Sequence, residues 1–288
     1  MYIEELKKLK AKRVFVQYPE GLKTKIQEID EELKRNGFET VLCCEPTFGA
    51  CDVRDFEAKR LECDAILHVA HTDFGVKSEL PVIYWDYFID VDPLPIIEKE
   101  FDKLKQYKSI GLFASVQYIP AMRKVKDYLE RNGKKVLVAK SLQHEGQVLG
   151  CRIDAALKLD ADCLLYVGTG KFHPLGVALA VSKPVLSLDL EQQKIIDLEK
   201  EKMKYLKKKA WHDEKIKSAS VIGIAVSWKQ GQNRIKEAFK LKKQLEEQGK
   251  KVHILAFDTI SKEKILGMKL DTIINLACPR MDDEDLLE

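Results

Sequence analysis

The chain has 288 residues, 49 basic and 46 acidic side chains, a net charge of +3, and 45% hydrophobic residues. That is an ordinary globular composition, long enough for two or three small cores; it speaks against a disordered chain and against a dedicated nucleic-acid binder. No apolar run approaches the roughly 20 residues that span a bilayer, and MYIEELKKLKAKRVFV carries no apolar signal core, so a cytoplasmic protein without a membrane partner is expected.

The first stretch, RVFVQYPEGLKTKIQEIDEELKRNGFETVLCC from Arg13, predicts an apolar strand, a polar loop, an amphipathic helix, a glycine stop at Gly37 and a second strand. The order returns in SIGLFASVQYIPAMRKVKDYLERNGKKVLVAK from Ser109 and in VIGIAVSWKQGQNRIKEAFKLKKQLEEQGKKVHILAF from Val221, with stops at Gly133 and Gly249. Each copy continues through a second helix and an acidic residue into an apolar strand: CDAILHVAHT, ADCLLYVGTG and LDTIINLACP. A proline-led strand closes the first two copies, at Pro81 and Lys183.

Apolar runs between helices predict parallel strands covered on both faces. The expected fold is α/β, with three similar, small, doubly wound parallel-sheet (Rossmann-like) domains. Their expected bounds are 1–92, 93–192 and 193–288. Asp90–Pro95 is the expected first linker. The charged stretch from Glu191 to about Lys217 is the second, a solvated helix bridging two domains. The third domain is expected to lack its closing strand, which should begin at about Glu288.

Seven cysteines stand at 43, 44, 51, 63, 151, 163 and 278, without a CxxC pair or a CxxxCxxC triplet. A disulfide framework does not suit a cytoplasmic chain. Open parallel sheets bind ligands at the carboxyl ends of their strands. Cys51 in TFGACDV, Cys151 in LGCRID and Cys278 in NLACPR all follow strands, one in each domain. Cys51 and Cys151 also precede expected helix N-termini, where the dipole favours a thiolate. Pro279 suits a strand end at Cys278. Cys63 and Cys163 begin strands at the opposite edge and are expected in the core, as is at least one of Cys43 and Cys44. Three thiolates on one centre suit a 4Fe-4S cluster with one open iron, whereas zinc more often takes a fourth side chain.

Other candidates are glycine-rich turns. Gly168, Thr169, Gly170 and His173 lie between a strand and a helix, where backbone N–H groups can hold a carboxylate or a nucleoside; ordinary turn chemistry explains them equally well. Ser227, Gln230 and Gly231 form the first strand–helix loop of the third copy, and Gln230 is placed to meet a ligand. His71 and His144 lie near strand ends.

TFGACDV, the LGC turn, YVGTGKFHPLG and NLACPR, in this order and at these separations, resemble the first-step enzymes of diphthamide biosynthesis, the archaeal homodimeric form above all. The resemblance runs nearly the whole chain and departs at the end, where the family's last strand and tail are missing. It implies a 4Fe-4S cluster on Cys51, Cys151 and Cys278, with S-adenosylmethionine at the open iron. It also implies a noncanonical radical reaction. A 3-amino-3-carboxypropyl group moves to C2 of a histidine imidazole on translation elongation factor 2, and methylthioadenosine is released. The implied partners are the elongation factor, a second copy of the chain and an electron donor. Two rival readings are a quinolinate-synthase-like dehydratase with a three-cysteine cluster, and a non-catalytic iron–sulfur accessory or sensor protein. A sugar- or nucleotide-binding module with purely structural cysteines is a third.

Overall fold

The apolar strands at Arg13, Ser109 and Val221 each lie inside a sheet. The computed structural model describes residues 2–141 and 143–278. The chain divides into two compact units: Met1–Tyr87 with Ser227–Asn233, and Phe88–Val226 with Arg234–Glu288.

In the first unit the chain runs through α1 (Tyr2–Lys8), β1 (Arg13–Gln17), α2 (Ile26–Arg35), β2 (Glu39–Leu42), α3 (Asp55–Arg60), β3 (Ala65–Val69) and β4 (Val82–Trp85). The sheet has the order β2-β1-β3-β4 and is parallel throughout. Successive residues of a strand face opposite sides. Val14 and Val16 therefore pack with Ile29, Leu33 and Leu67, while Phe15 packs with Ile66, Ala58 and Cys63. Cover on both faces explains why the central positions of β1 and most of β3 are apolar on both sides.

The second unit holds two sheets. Its first part is α4 (Leu94–Lys99), β5 (Ser109–Ala114), α5 (Ile119–Arg131), β6 (Lys135–Leu137), α6 (Asp154–Leu157), β7 (Cys163–Gly168), α7 (Phe172–Ala180), β8 (Val185–Asp189) and β9 (Lys194–Asp197). The sheet order is β6-β5-β7-β8-β9. Its first four strands are parallel and β9 is antiparallel. Next come α8 (Glu199–Ser218), β10 (Val221–Ser227), α9 (Ile235–Glu247), β11 (Lys251–Phe257) and β12 (Thr272–Asn275). The last three strands form a sheet of order β11-β10-β12.

The repeat extends to single side chains. Gly37, Gly133 and Gly249 all take positive φ, at 87°, 76° and 81°, where an L side chain is strained. One carboxylate oxygen each of Asp64, Asp162 and Asp271 accepts two backbone N–H bonds where the first strand of its sheet begins. The acidic residue before each third strand is thus a clasp on the sheet's entry edge.

Two expectations need correction. Glu191 to Lys217 is not one helical linker, because β9 comes first. Ile195 buries into the second core, and Asp189 turns the chain by accepting the N–H groups of Glu191 and Gln192 at 3.0 and 2.9 Å. Helix α8 is largely solvated but anchored at both ends: Lys202 donates to the Val181 carbonyl, and Lys250 donates to those of Ile216, Lys217 and Ala219. Between β11 and β12 only a 3-10 turn forms, at Lys262–Lys264, with Gly267 at φ 86° soon after it. In the stretch Asp90–Pro95, Val91 and Leu94 pack on the second core. Among the described residues, no helix is long and apolar enough to cross a membrane.

Candidate metal centre

The seven cysteines sort by burial. Cys43, Cys63 and Cys163 are buried, Cys51 and Cys278 are half-buried, and Cys44 and Cys151 are exposed. Burial pushes the thiols of Cys43 and Cys63 up, and that of Cys163 up to about 12, so these groups stay protonated and make poor ligands. Cys43 is the member of its pair that enters the core; Cys44, next along the chain, faces out.

Cys51 sits in the loop between β2 and α3, and this loop is heavily braced. The Asp52 N–H closes a turn on the Gly49 carbonyl at 3.0 Å. Buried Gln17, at the end of β1, donates its side-chain N–H to the Asp52 carbonyl at 2.9 Å and accepts the Arg54 N–H at 3.0 Å. The segment Ser227–Asn233 closes over the same loop. Lys229 Nζ meets the Asp52 carboxylate at 2.6 Å, with both side chains 3% exposed. Lys229 also lies 5.3 Å from the centre of the Phe48 ring. Gln230 donates to Asp55 at 2.9 Å, the Gly231 N–H reaches the Cys51 carbonyl at 3.0 Å, and Gln232 Nε2 stands 3.3 Å from Cys51 Sγ.

Gly231 must be glycine for steric reasons: a Cβ there would lie 2.5 Å from Cys51 Cβ. Of Ser227, Gln230 and Gly231, all singled out in the sequence, Gln230 bonds Asp55 and Gly231 bonds the Cys51 carbonyl. Ser227 Oγ accepts the Lys229 N–H at 3.2 Å.

Cys151 lies between β6 and α6. Its loop is stitched to β5: the Ala114 N–H donates to the Gly146 carbonyl, and the Val148 N–H to the Ala114 carbonyl, both at 2.9 Å. Gly150 lies against Phe172, so closely that a Cβ would come within 2.0 Å of the ring. Phe172 opens α7, directly after the glycine turn. The Cys151 loop and the turn of Gly168, Thr169 and Gly170 therefore lie at one sheet edge. Thr169 shares a hydrogen bond with Tyr118 OH at 3.2 Å, Gly170 takes φ 67°, and His173 stacks on Tyr166 at 6.0 Å.

Cys278 follows β12. Asn275 organises the turn: its Oδ1 accepts the N–H groups of Ala277 and Cys278, at 2.9 and 3.3 Å, and its Nδ2 donates to the Cys278 carbonyl at 2.9 Å. Pro279 lies outside the described residues.

The helix-dipole argument for Cys51 and Cys151 weakens. The helices that follow are six and four residues long, and they begin at Asp55 and Asp154. A short helix has a small dipole, and an acid in its first turn offsets it.

The sequence reading missed Gln17, Asp52, Lys229, Gln232 and Asn275. Asp52 adjoins Cys51, and Lys229 and Gln232 flank residues already marked, but the Lys229–Asp52 partners are 177 positions apart. Also missed was His68 in β3, the partner of His71. His68 and His71 bring their Nδ1 atoms to 3.3 Å, and His68 stacks on Tyr84. Burial pushes His68 down to about 4, so it is neutral at physiological pH.

Among the described residues, no three His, Cys, Asp or Glu side chains of either unit gather around one point. The donor chemistry nonetheless suits iron and sulfide: Cys51, Cys151 and Cys278 are thiols that stay out of the cores, in the loops and turns that follow strands.

Parallel α/β sheets carrying accessible cysteines past their strands define a class of protein that holds a metal or cluster at the strand ends. The family described as "Putative diphthamide synthesis protein" matches residues 18–286. The chain is 31% identical to the 2-(3-amino-3-carboxypropyl)histidine synthase of Pyrococcus horikoshii, over 98% of this chain and 83% of that protein. It is 28% identical to the synthase of Methanocaldococcus jannaschii, over 99% and 82%. It is 26% identical to synthase subunit 1 of Saccharomyces cerevisiae, over 96% and 67%. A crystal structure described as Dph2 from Pyrococcus horikoshii with a 4Fe-4S cluster superposes with a TM-score of 0.90, over 98% of this chain and 84% of that one. The chain belongs to the diphthamide synthesis family.

Proposed function

We infer that this chain is a 2-(3-amino-3-carboxypropyl)histidine synthase. Family membership across nearly the whole chain supports the reading. The observation that carries it is the sorting of the cysteines: those beyond strands in the family's motifs are accessible, and those at strand starts are sealed.

Cys51, Cys151 and Cys278 would hold three irons of a 4Fe-4S cluster. When bound, that group supplies an electron and an open coordination place. We further read each sheet as the core of one domain, over residues 1–92, 93–192 and 193–288, each domain contributing one of these cysteines.

The substrate is S-adenosylmethionine. Its amino-acid and nucleoside parts suit the turn of Gly168, Thr169 and Gly170, whose N–H groups can donate to anionic or polar oxygens, with His173 beside it. Ser227, Gln230 and Gly231 are read as further S-adenosylmethionine contacts, while Gln230 and Gly231 also bond Asp55 and the Cys51 carbonyl. The acceptor is C2 of a histidine imidazole on translation elongation factor 2. In the net transfer the bond between sulfur and the methionine γ-carbon breaks, a carbon–carbon bond forms at C2, and C2 gives up a proton. Methylthioadenosine leaves, and no net electrons are consumed. The active assembly is a homodimer in the cytoplasm, served by a separate electron donor.

The test is anaerobic reconstitution followed by iron counting and incubation with dithionite and S-adenosylmethionine. Cys51→Ala, Cys151→Ala and Cys278→Ala each lose iron and methylthioadenosine formation, whereas Cys63→Ala and Cys163→Ala keep both. A Cys51→Ala protein with full iron and full turnover would sink the assignment.

A further inference from the structure

The contact between Gln232 and Cys51 joins residues 181 positions apart, so the tertiary fold brings them together. Gln232 is the last residue of the helical turn Gln230–Gln232, which is pinned on several sides. Below it Lys229 pairs with Asp52, out of contact with water. Beside it Gln230 bonds Asp55, and the Gly231 N–H bonds the Cys51 carbonyl. A side chain at position 231 would push the two segments apart. The Gln232 amide is therefore held against the sulfur.

We propose that Gln232 is a positioning residue that tunes Cys51, donating its side-chain N–H to the sulfur and so raising the reduction potential of the group bound there. The proposal rests on the reading of Cys51 as a cluster ligand. A metal-bound thiolate has only lone pairs to offer, so the amide must present its N–H end. A donor on a ligating sulfur withdraws charge from it and favours the reduced, more negative state of the cluster. Asn275, beside Cys278, spends its amide on the backbone N–H groups of Ala277 and Cys278 and on the Cys278 carbonyl. The two amides thus have different tasks: Asn275 shapes a turn, and Gln232 addresses a sulfur.

The experiment compares Gln232→Leu, Gln232→Glu and Gln232→His with the wild type. Each protein is reconstituted anaerobically, its iron is counted, and its cluster is titrated with reductant under electron paramagnetic resonance. Melting of the iron-free proteins is followed in parallel. Gln232→Leu keeps its iron, but at a fixed potential its ratio of reduced to oxidised cluster falls about tenfold, or about 59 mV for one electron. Gln232→Glu, which offers a carboxylate in place of the donor, falls at least as far. Gln232→His keeps a ring N–H and recovers part of the shift. Wild-type potential in both Gln232→Leu and Gln232→Glu overturns the proposal, as does a lower melting temperature without a change of potential, which marks Gln232 as structural only. Failure of the underlying reading shows differently: the wild type takes up no iron, or Cys51→Ala keeps the wild-type cluster and potential.

Discussion

At the scale of the residue, the Cys51 loop is held by charge buried out of water. Lys229 and Asp52 have surrendered their hydration, and each compensates the other at 2.6 Å. Removing one partner takes the nearest opposite charge from a group buried out of water. Lys229→Met is therefore expected to lose about 3 kcal/mol of stability in urea denaturation. Arg54, 3.8 Å from the same carboxylate, offsets only part of the loss. The double variant Lys229→Met with Asp52→Asn, which removes the stranded charge, should recover much of it. If the single and double variants unfold at the same urea concentration, the pair is not what holds the loop.

At the scale of the element, the same small devices recur in each sheet. Asp64, Asp162 and Asp271 are held below the usual carboxylate range chiefly by the two backbone N–H bonds each accepts. A carboxyl group whose folded value is depressed stabilises the fold fully above its unfolded value, near 3.9. That contribution is lost as pH falls through the folded value. Asp162→Asn should therefore melt below the wild type at pH 7, and the gap should close as pH falls below about 4. A gap that stayed constant from pH 7 to pH 3 would mean that the carboxylate charge contributes nothing. The glycines at 37, 133 and 249 belong to the same scale. Each ends a helix in a conformation that strains other residues, which fixes where the next strand starts.

At the scale of the whole molecule, a cluster held by thiols from distant parts of the chain ties its loading to folding. A group that binds the folded chain and not the unfolded one stabilises it by mass action. Stripping iron with an anaerobic chelator should lower the melting temperature by about 5–10 °C, for a stabilisation of about 3 kcal/mol. Cys278→Ala should melt at the stripped temperature with or without iron in the medium. Equal melting of the loaded and stripped wild-type proteins would show that the cluster and the fold are independent.

The three-fold repeat, the parallel sheets, the glycine stops and the division of cysteines between strand starts and strand ends were all legible in the sequence. These depend on local periodicity and on which end of a strand a residue occupies, and both are written along the chain. The antiparallel β9 was not, because Lys194–Asp197 is a short, charged strand whose pairing comes from the Asp189 turn and a neighbour already in place. Nor was the clamp on Cys51. Lys229 and Gln232 sit in a loop that by itself reads as solvent-exposed, and only folding carries them past some 180 positions to a buried carboxylate and a sulfur. Sequence determines what a segment prefers when its partners are near in the chain; tertiary structure decides which distant groups lose their water together, and that loss is what gives a buried pair its strength.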